Sequence, residues 1–149
     1  MERLREGTHC PYEFSCMRYN MSTRKICGQD ISSKSGKKVR YAVVGLGHIA
    51  QVAVLPAFAH ARQNSELTAL VTGDSAKARK IGRKYCVETV CSYKEYEKCL
   101  ASGTIDAVYI ALPNNMHREY AVAASNAGVH VLCEKPMALD EKQCAEMTS

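Results

Sequence analysis

The sequence has no CxxC pair, no close cluster of cysteine and histidine, and no long run of one charge sign. Each absence removes a class of function. Without ligand spacing of the usual kind, a metal site is not expected. The net charge of +5 is modest, and much of the basic excess lies before residue 41, in Arg3, Arg5, Arg18, Arg24, Lys25, Lys34, Lys37, Lys38 and Arg40. None of these forms a block that argues for a nucleic-acid partner. The amino-terminal segment is basic in places but lacks the continuous apolar core of a secretory signal. The most apolar stretch, residues 41–59, approaches the length of a membrane helix, but His48, Gln51, Pro56 and two glycines interrupt it. No internal repeat or low-complexity block is present. A cytoplasmic globular protein is expected, with neither membrane nor nucleic acid as partner.

Cysteine, by contrast, is plentiful, with eight residues at Cys10, Cys16, Cys27, Cys86, Cys91, Cys99, Cys133 and Cys144. Several fall inside expected strands or helices, where the thiol behaves as a small apolar group. Reduced thiols of a cytosolic chain are the expectation. The length of 149 residues suits about one domain and a core that needs no staples.

Residues 1–37 show no hydrophobic period, and "SSKSGKK" (residues 32–38) reads as a linker. This segment is expected to be an arm, poorly ordered alone. It is either an untethered extension, the preferred reading, or a cover for a ligand. From residue 38 to 149 strands and helices alternate. Strands are expected at "VRYAVV", "LTALVT" (67–72), "VETVCS" (87–92), "DAVYIAL" (106–112) and "VHVLCE" (129–134). Helices are expected over 48–62, disturbed at Pro56, and over 75–85, 93–102 and 114–127, with a last one opened by Asp140. Asn114 or Asn115 is the expected N-cap of the fourth helix, with Gly128 just past its end. His130 is expected in the core. Five β/α alternations predict an α/β fold, a doubly wound parallel sheet of Rossmann type. Such sheets bind ligands at the carboxyl ends of their strands, near the switch in strand order.

Gly45-Leu46-Gly47-His48-Ile49-Ala50 follows the first strand and opens the first helix, matching G-x-G-x-x-G/A. Gly45 permits a tight turn, Gly47 lets a pyrophosphate approach the backbone, and Ala50 lets the helix lie on the sheet. The helix N-terminus offers N–H groups and partial positive charge to the phosphates. The second strand ends "Thr72-Gly73-Asp74-Ser75-Ala76-Lys77". An acidic residue at the strand tip would hold the ribose hydroxyls of NAD and repel a 2′-phosphate. The tip is read as Thr72, which favours NADP, with Lys77 as charge partner. Asp74 is read as a helix cap; a longer strand would make it a ribose ligand and favour NAD. Two further stretches lie at strand ends. Pro113 and Asn114 either cap a helix or line the nicotinamide side of a cleft. Glu134 and Lys135 either reach water or place Lys135 where its cation meets developing negative charge on a substrate oxygen.

With "VVGLGHIA", "VYIALPNNMH" and "HVLCEKP" in this order, residues 38–149 resemble the amino-terminal domain of the glucose–fructose oxidoreductase/inositol dehydrogenase/MocA family. Glu134-Lys135-Pro136 is the most discriminating of the three stretches. The resemblance implies hydride transfer between a nicotinamide and a sugar, polyol or related hydroxyl or carbonyl compound. It implies that Lys135 contacts the reacting substrate, that the bond before Pro136 is cis, and that the Leu112-Pro113-Asn114 turn contacts cofactor. The Thr72–Lys77 stretch resembles endings that accompany NADP use. The cofactor-binding set is then Gly45, Leu46, Gly47, His48, Ile49, Ala50, Thr72, Gly73, Asp74, Lys77, Leu112, Pro113, Asn114, His117, Glu134 and Lys135, with Lys135 catalytic.

Full-length members are oligomers and continue into a carboxyl-terminal α/β domain that supplies the acid/base group and most substrate contacts. The sequence ends at Ser149, before that domain. His117 and His130 are not expected to replace the missing groups. The chain alone is therefore expected not to turn over, and to self-associate through apolar surface near its last strand and helix. Two alternatives remain at this stage: a non-catalytic NADP-sensing regulatory or interaction module, and another Rossmann reductase that shares only the glycine turn.

Overall fold

The structure, a computed structural model, describes residues 36–149. All but the last two positions of the arm expected over residues 1–37 lie outside the described residues, with Cys10, Cys16 and Cys27. The elements are β1 (Val39–Val44), a π-helical stretch Ala50–Val54 running into α1 (Leu55–His60), β2 (Ser65–Val71), α2 (Ser75–Tyr85), β3 (Thr89–Cys91), a 3-10 turn Tyr93–Glu95 leading into α3 (Tyr96–Leu100), β4 (Ala107–Ile110), α4 (Asn114–Asn126), β5 (His130–Cys133) and α5 (Glu141–Thr148). The five strands form one parallel sheet in the order β3-β2-β1-β4-β5. The switch in order falls between β1 and β4, as a doubly wound sheet requires.

β1 carries the core on both faces. Val43 packs with Leu46, Ala50, Val54, Leu55, Leu70, Ala78 and Ile81 under the first two helices. Ala42 and Val44 pack on the opposite face with Tyr96, Leu100, Tyr120 and Ala124. All three are fully buried, which is why the strand reads as an unbroken apolar run rather than an alternation. Full burial of each valine is worth about 1.5–3 kcal/mol.

Several local expectations shift, for identifiable reasons. The first helix runs from residue 48 to 60, two residues short of Arg62. Pro56 has no N–H to give, and the turn before it widens, with the Leu55 N–H reaching back five residues to the Ala50 carbonyl. α4 is capped by Pro113, not by an asparagine: Pro113 has the extended backbone of a cap residue, and its carbonyl accepts from Met116 N–H at 2.9 Å. At the other end of α4 the expectation holds. Gly128 has φ +71°, Gly128 N–H donates to Ser125 and Val129 N–H to Ala124. His130 is exposed rather than in the core. β5 is an edge strand whose Val131 and Cys133 pack inward on the α4 side. Its other face carries His130 and Leu132 into solvent. Leu132, Met137 and Leu139 are exposed at 45%, 37% and 56%, a cluster of apolar side chains in sequence around the Glu134-Lys135-Pro136 stretch. Cys91, Cys99, Cys133 and Cys144 form no disulfide. Among the described residues no helix is long and apolar enough to cross a membrane.

At the amino-terminal end of the sheet, Arg40 on β1 grips Asp106 just before β4. Its guanidinium makes two bonds to the carboxylate, at 2.7 and 2.9 Å, and its backbone N–H adds a third at 2.9 Å. These bonds hold the Asp106 carboxyl well below the usual carboxylate range. The unfolded chain therefore takes up this proton first. The clamp contributes fully above the ordinary range, roughly pH 4, and is lost as pH falls from there toward the folded value. Asp106→Asn is expected to lower the melting temperature at neutral pH and to reduce its fall on acidification. A melting-temperature series from neutral pH into acid checks both.

Candidate functional site

The four stretches singled out in the sequence meet at the carboxyl end of the sheet. Gly45 N–H donates to the Val71 carbonyl at 2.9 Å, which sets the glycine turn beside the end of β2. Thr72 N–H donates to Cys91 at 3.0 Å and Glu134 N–H to Ile110 at 3.0 Å, so the loops after β2 and β5 are tied to β3 and β4. Gly45 lies directly against Ala111 and Leu112 of the loop after β4.

The two glycines of the turn differ. Gly45 has φ +91°, and a Cβ there would meet the Ala111 carbonyl oxygen at 2.7 Å and the Leu112 side chain at 2.9 Å. The fold itself requires glycine at this position. At Gly47 the backbone is not left-handed and a Cβ would meet nothing within 4 Å. The protein has no internal need for glycine there. Space is open in front of the turn. His48 and Ile49 are exposed beside Gly47, while Leu46 and Ala50 have their side chains in the core. Leu46 and Ala50 thus serve the site through backbone and packing, not through side-chain contact. Gln51, not anticipated, stitches the turn with its amide donating to the Leu46 carbonyl at 2.9 Å.

β2 ends at Val71, one residue before Thr72. Thr72 is nearly buried, and its hydroxyl accepts the Asp74 N–H at 3.3 Å, which leaves the hydroxyl proton to donate outward. Asp74 is the N-cap of α2. Its Oδ1 accepts the Lys77 N–H at 2.9 Å, and Oδ2 lies 3.7 Å from Lys77 Nζ. The Lys77 N–H above all, with the nearby ammonium, lowers the Asp74 pKa. This is the capping role, so the carboxylate is already engaged. Gly73 lies against the Tyr93 ring, where a Cβ would come within 3.2 Å.

Beyond β4, Leu112 is buried, Pro113 is exposed and Asn114 is half-buried. Beyond β5 the Lys135–Pro136 bond is cis. Glu134 is held at both oxygens, one accepting the Tyr109 hydroxyl at 2.8 Å and the other the Lys135 N–H at 3.3 Å. Glu134 therefore anchors the loop. Burial, with Glu134 beside it, pushes the Tyr109 hydroxyl up to about 12, so it stays a donor at neutral pH. The only hint of this pair in the sequence is one polar-tipped ring in an otherwise aliphatic strand. Burial and Glu134 likewise push the Cys133 thiol up to about 11, which leaves it a poor nucleophile. Lys135 is exposed and makes no ion pair among the described residues. His117 is 1% exposed, and both ring nitrogens are taken by backbone carbonyls. Its two ring contacts lie on the loops after β4 and β5.

The family model GFO_IDH_MocA, an oxidoreductase family with an NAD-binding Rossmann fold, matches residues 39–149. The chain is 35% identical over 111 residues to the scyllo-inositol 2-dehydrogenase (NADP(+)) IolU of Bacillus subtilis, covering 74% of this chain and 33% of that protein. Among solved structures, an aldose-aldose oxidoreductase from Caulobacter crescentus, complexed with glycerol, superposes with a TM-score of 0.72 at 36% identity, covering 75% of this chain and 34% of that one. KijD10, a 3-ketoreductase from Actinomadura kijaniata in complex with TDP-benzene and NADP, gives 0.68 at 32% identity, with 75% and 34% covered. The chain thus spans about a third of the length of the relatives it matches. It belongs to the Gfo/Idh/MocA family of oxidoreductases and carries that family's NAD-binding Rossmann domain.

Proposed function

We propose that this chain binds NADP(H) and forms the nucleotide-binding part of an oxidoreductase acting on a sugar, polyol or related hydroxyl or carbonyl compound. The observation that carries the reading is Gly47. It is a glycine without an internal reason, at the switch point of the sheet and the mouth of a helix.

The first-turn N–H groups lack intrahelical acceptors and suit a pyrophosphate. Thr72, Gly73 and Lys77 offer a hydroxyl, a backbone N–H and a cation to a 2′-phosphate. The residue directly after β2 is Thr72, not an acid; Asp74 stands two residues further on, capping α2 with Lys77 Nζ 3.7 Å from its carboxylate. Pro113 and Asn114 face the nicotinamide half, on the β4 side of the crevice. When bound, the nicotinamide supplies or accepts the hydride. Lys135 donates to the substrate oxygen and stabilises charge that develops there. Glu134, fixed by Tyr109, holds the backbone from which Lys135 projects. The names of the relatives, two of which print NADP, support the cofactor reading.

Calorimetric titration with NADPH and with NADH tests the proposal. NADPH is expected to bind about tenfold tighter or more, the worth of one charge-assisted contact, and Lys77→Ala is expected to remove much of that preference. A preference for NADH would move the ribose contact to Asp74. Binding of neither would overturn the proposal.

A further inference from the structure

His117 was marked in the sequence for its place at the start of α4, but its geometry gives it another task. The ring is 1% exposed, the most deeply buried polar side chain among the described residues. Nε2 lies 2.8 Å from the Leu112 carbonyl oxygen, in the turn after β4. Nδ1 lies 3.0 Å from the Pro136 carbonyl oxygen, in the loop after β5. One side chain thus bridges two loops that are separate in sequence. The first loop carries Pro113 and Asn114, and the second carries Lys135. Both partners are acceptors.

We infer that His117 is a positioning residue, which locks the Leu112–Asn114 turn to the Lys135–Pro136 loop by placing one ring nitrogen against a carbonyl oxygen of each. The inference deepens the proposed function and rests on its placement of the nicotinamide half at β4 and β5. The Thr72–Lys77 stretch follows β2, which β1 separates from β4, and neither hydrogen bond of His117 reaches it. The clamp therefore acts on one half of the dinucleotide site.

That asymmetry provides the test. Adenosine 2′,5′-bisphosphate occupies only the adenosine half, whereas NADPH spans both. His117→Phe keeps a planar ring and removes both ring nitrogens. It is expected to weaken NADPH binding about tenfold and to leave adenosine 2′,5′-bisphosphate within about twofold of wild type. Equal loss of both ligands indicates general structural damage and overturns the clamp, as does no loss of either. If the wild-type chain binds neither ligand, the nucleotide-site reading falls and the clamp falls with it. A second measurement needs no variant. Proton–nitrogen NMR of the wild-type chain should show a hydrogen-bonded His117 ring N–H protected from exchange with solvent. A freely exchanging ring would overturn the clamp even if the variant fails to fold.

Discussion

Gly47→Val is expected to abolish NADPH binding while leaving the fold intact. Space alone permits the substitution, since a Cβ at Gly47 has no neighbour within 4 Å and the backbone is not left-handed. Exposed replacements of this kind usually change stability by about 0.5 kcal/mol or less. The isopropyl group would fill the space in front of the turn, where the pyrophosphate must meet backbone N–H groups. Each charge-assisted hydrogen bond lost costs about 1.5–3 kcal/mol. Two such bonds correspond to a hundredfold or more in affinity. Calorimetric titration beside a thermal melt measures both quantities on one preparation. An unchanged affinity would mean that the turn is structural only, and the proposed function would lose its main support.

Gly45→Ala is expected to do the reverse and attack the fold. At φ +91° an L-residue is strained by about 1–3 kcal/mol. The added methyl would also press on the backbone carbonyl of Ala111 at 2.7 Å, and a backbone oxygen between β4 and α4 has little freedom to withdraw. The sum is about 2–4 kcal/mol, against a whole-domain stability of about 5–15 kcal/mol. For a domain of this size that corresponds to a fall in melting temperature of roughly 10 °C or more. A thermal melt of Gly45→Ala beside wild type checks it; a fall of only a degree or two would refute the steric argument. Two glycines one residue apart then separate by mechanism, one serving the packing and one the ligand.

This separation was only partly legible in the sequence. The motif marked both glycines, and the local argument for a tight turn at Gly45 was sound. The carbonyl of Ala111 could not be foreseen, because it arrives from a strand 66 residues further along. The same holds for the other differences. The strand and helix alternation is readable because β1 and β2 end in fully buried apolar triplets, Ala42–Val44 and Ala69–Val71, and β4 is apolar throughout. The role of Asp74 was readable because a cap is a contact within one turn of chain. His117 and Glu134 lie at the expected end of the sheet, but their intramolecular partners are not legible in the sequence. Both are held by partners from another loop or strand, and sequence spacing contains no distance between loops. His130 was misplaced because a short apolar strand reads alike at the centre and at the edge of a sheet. Arg40 and Asp106 drew no notice as a pair, since their ion pair exists only after β1 and β4 are side by side.

That ion pair joins residues 66 apart, and the interval sets an order of events during synthesis. β1 is the central strand of the sheet, yet it leaves the ribosome first among the five. β2 and β3 can dock on one side of it while the chain is still growing. The other side keeps its row of N–H and C=O groups unpaired until Ala107–Ile110 emerge. An open strand edge flanked by valines is a template for pairing with another chain. Parallel pairing across such a separation is also slow to close. The central strand of the finished sheet is therefore the most vulnerable one in the unfinished chain, and Asp106 emerges just ahead of the strand that ends the exposure.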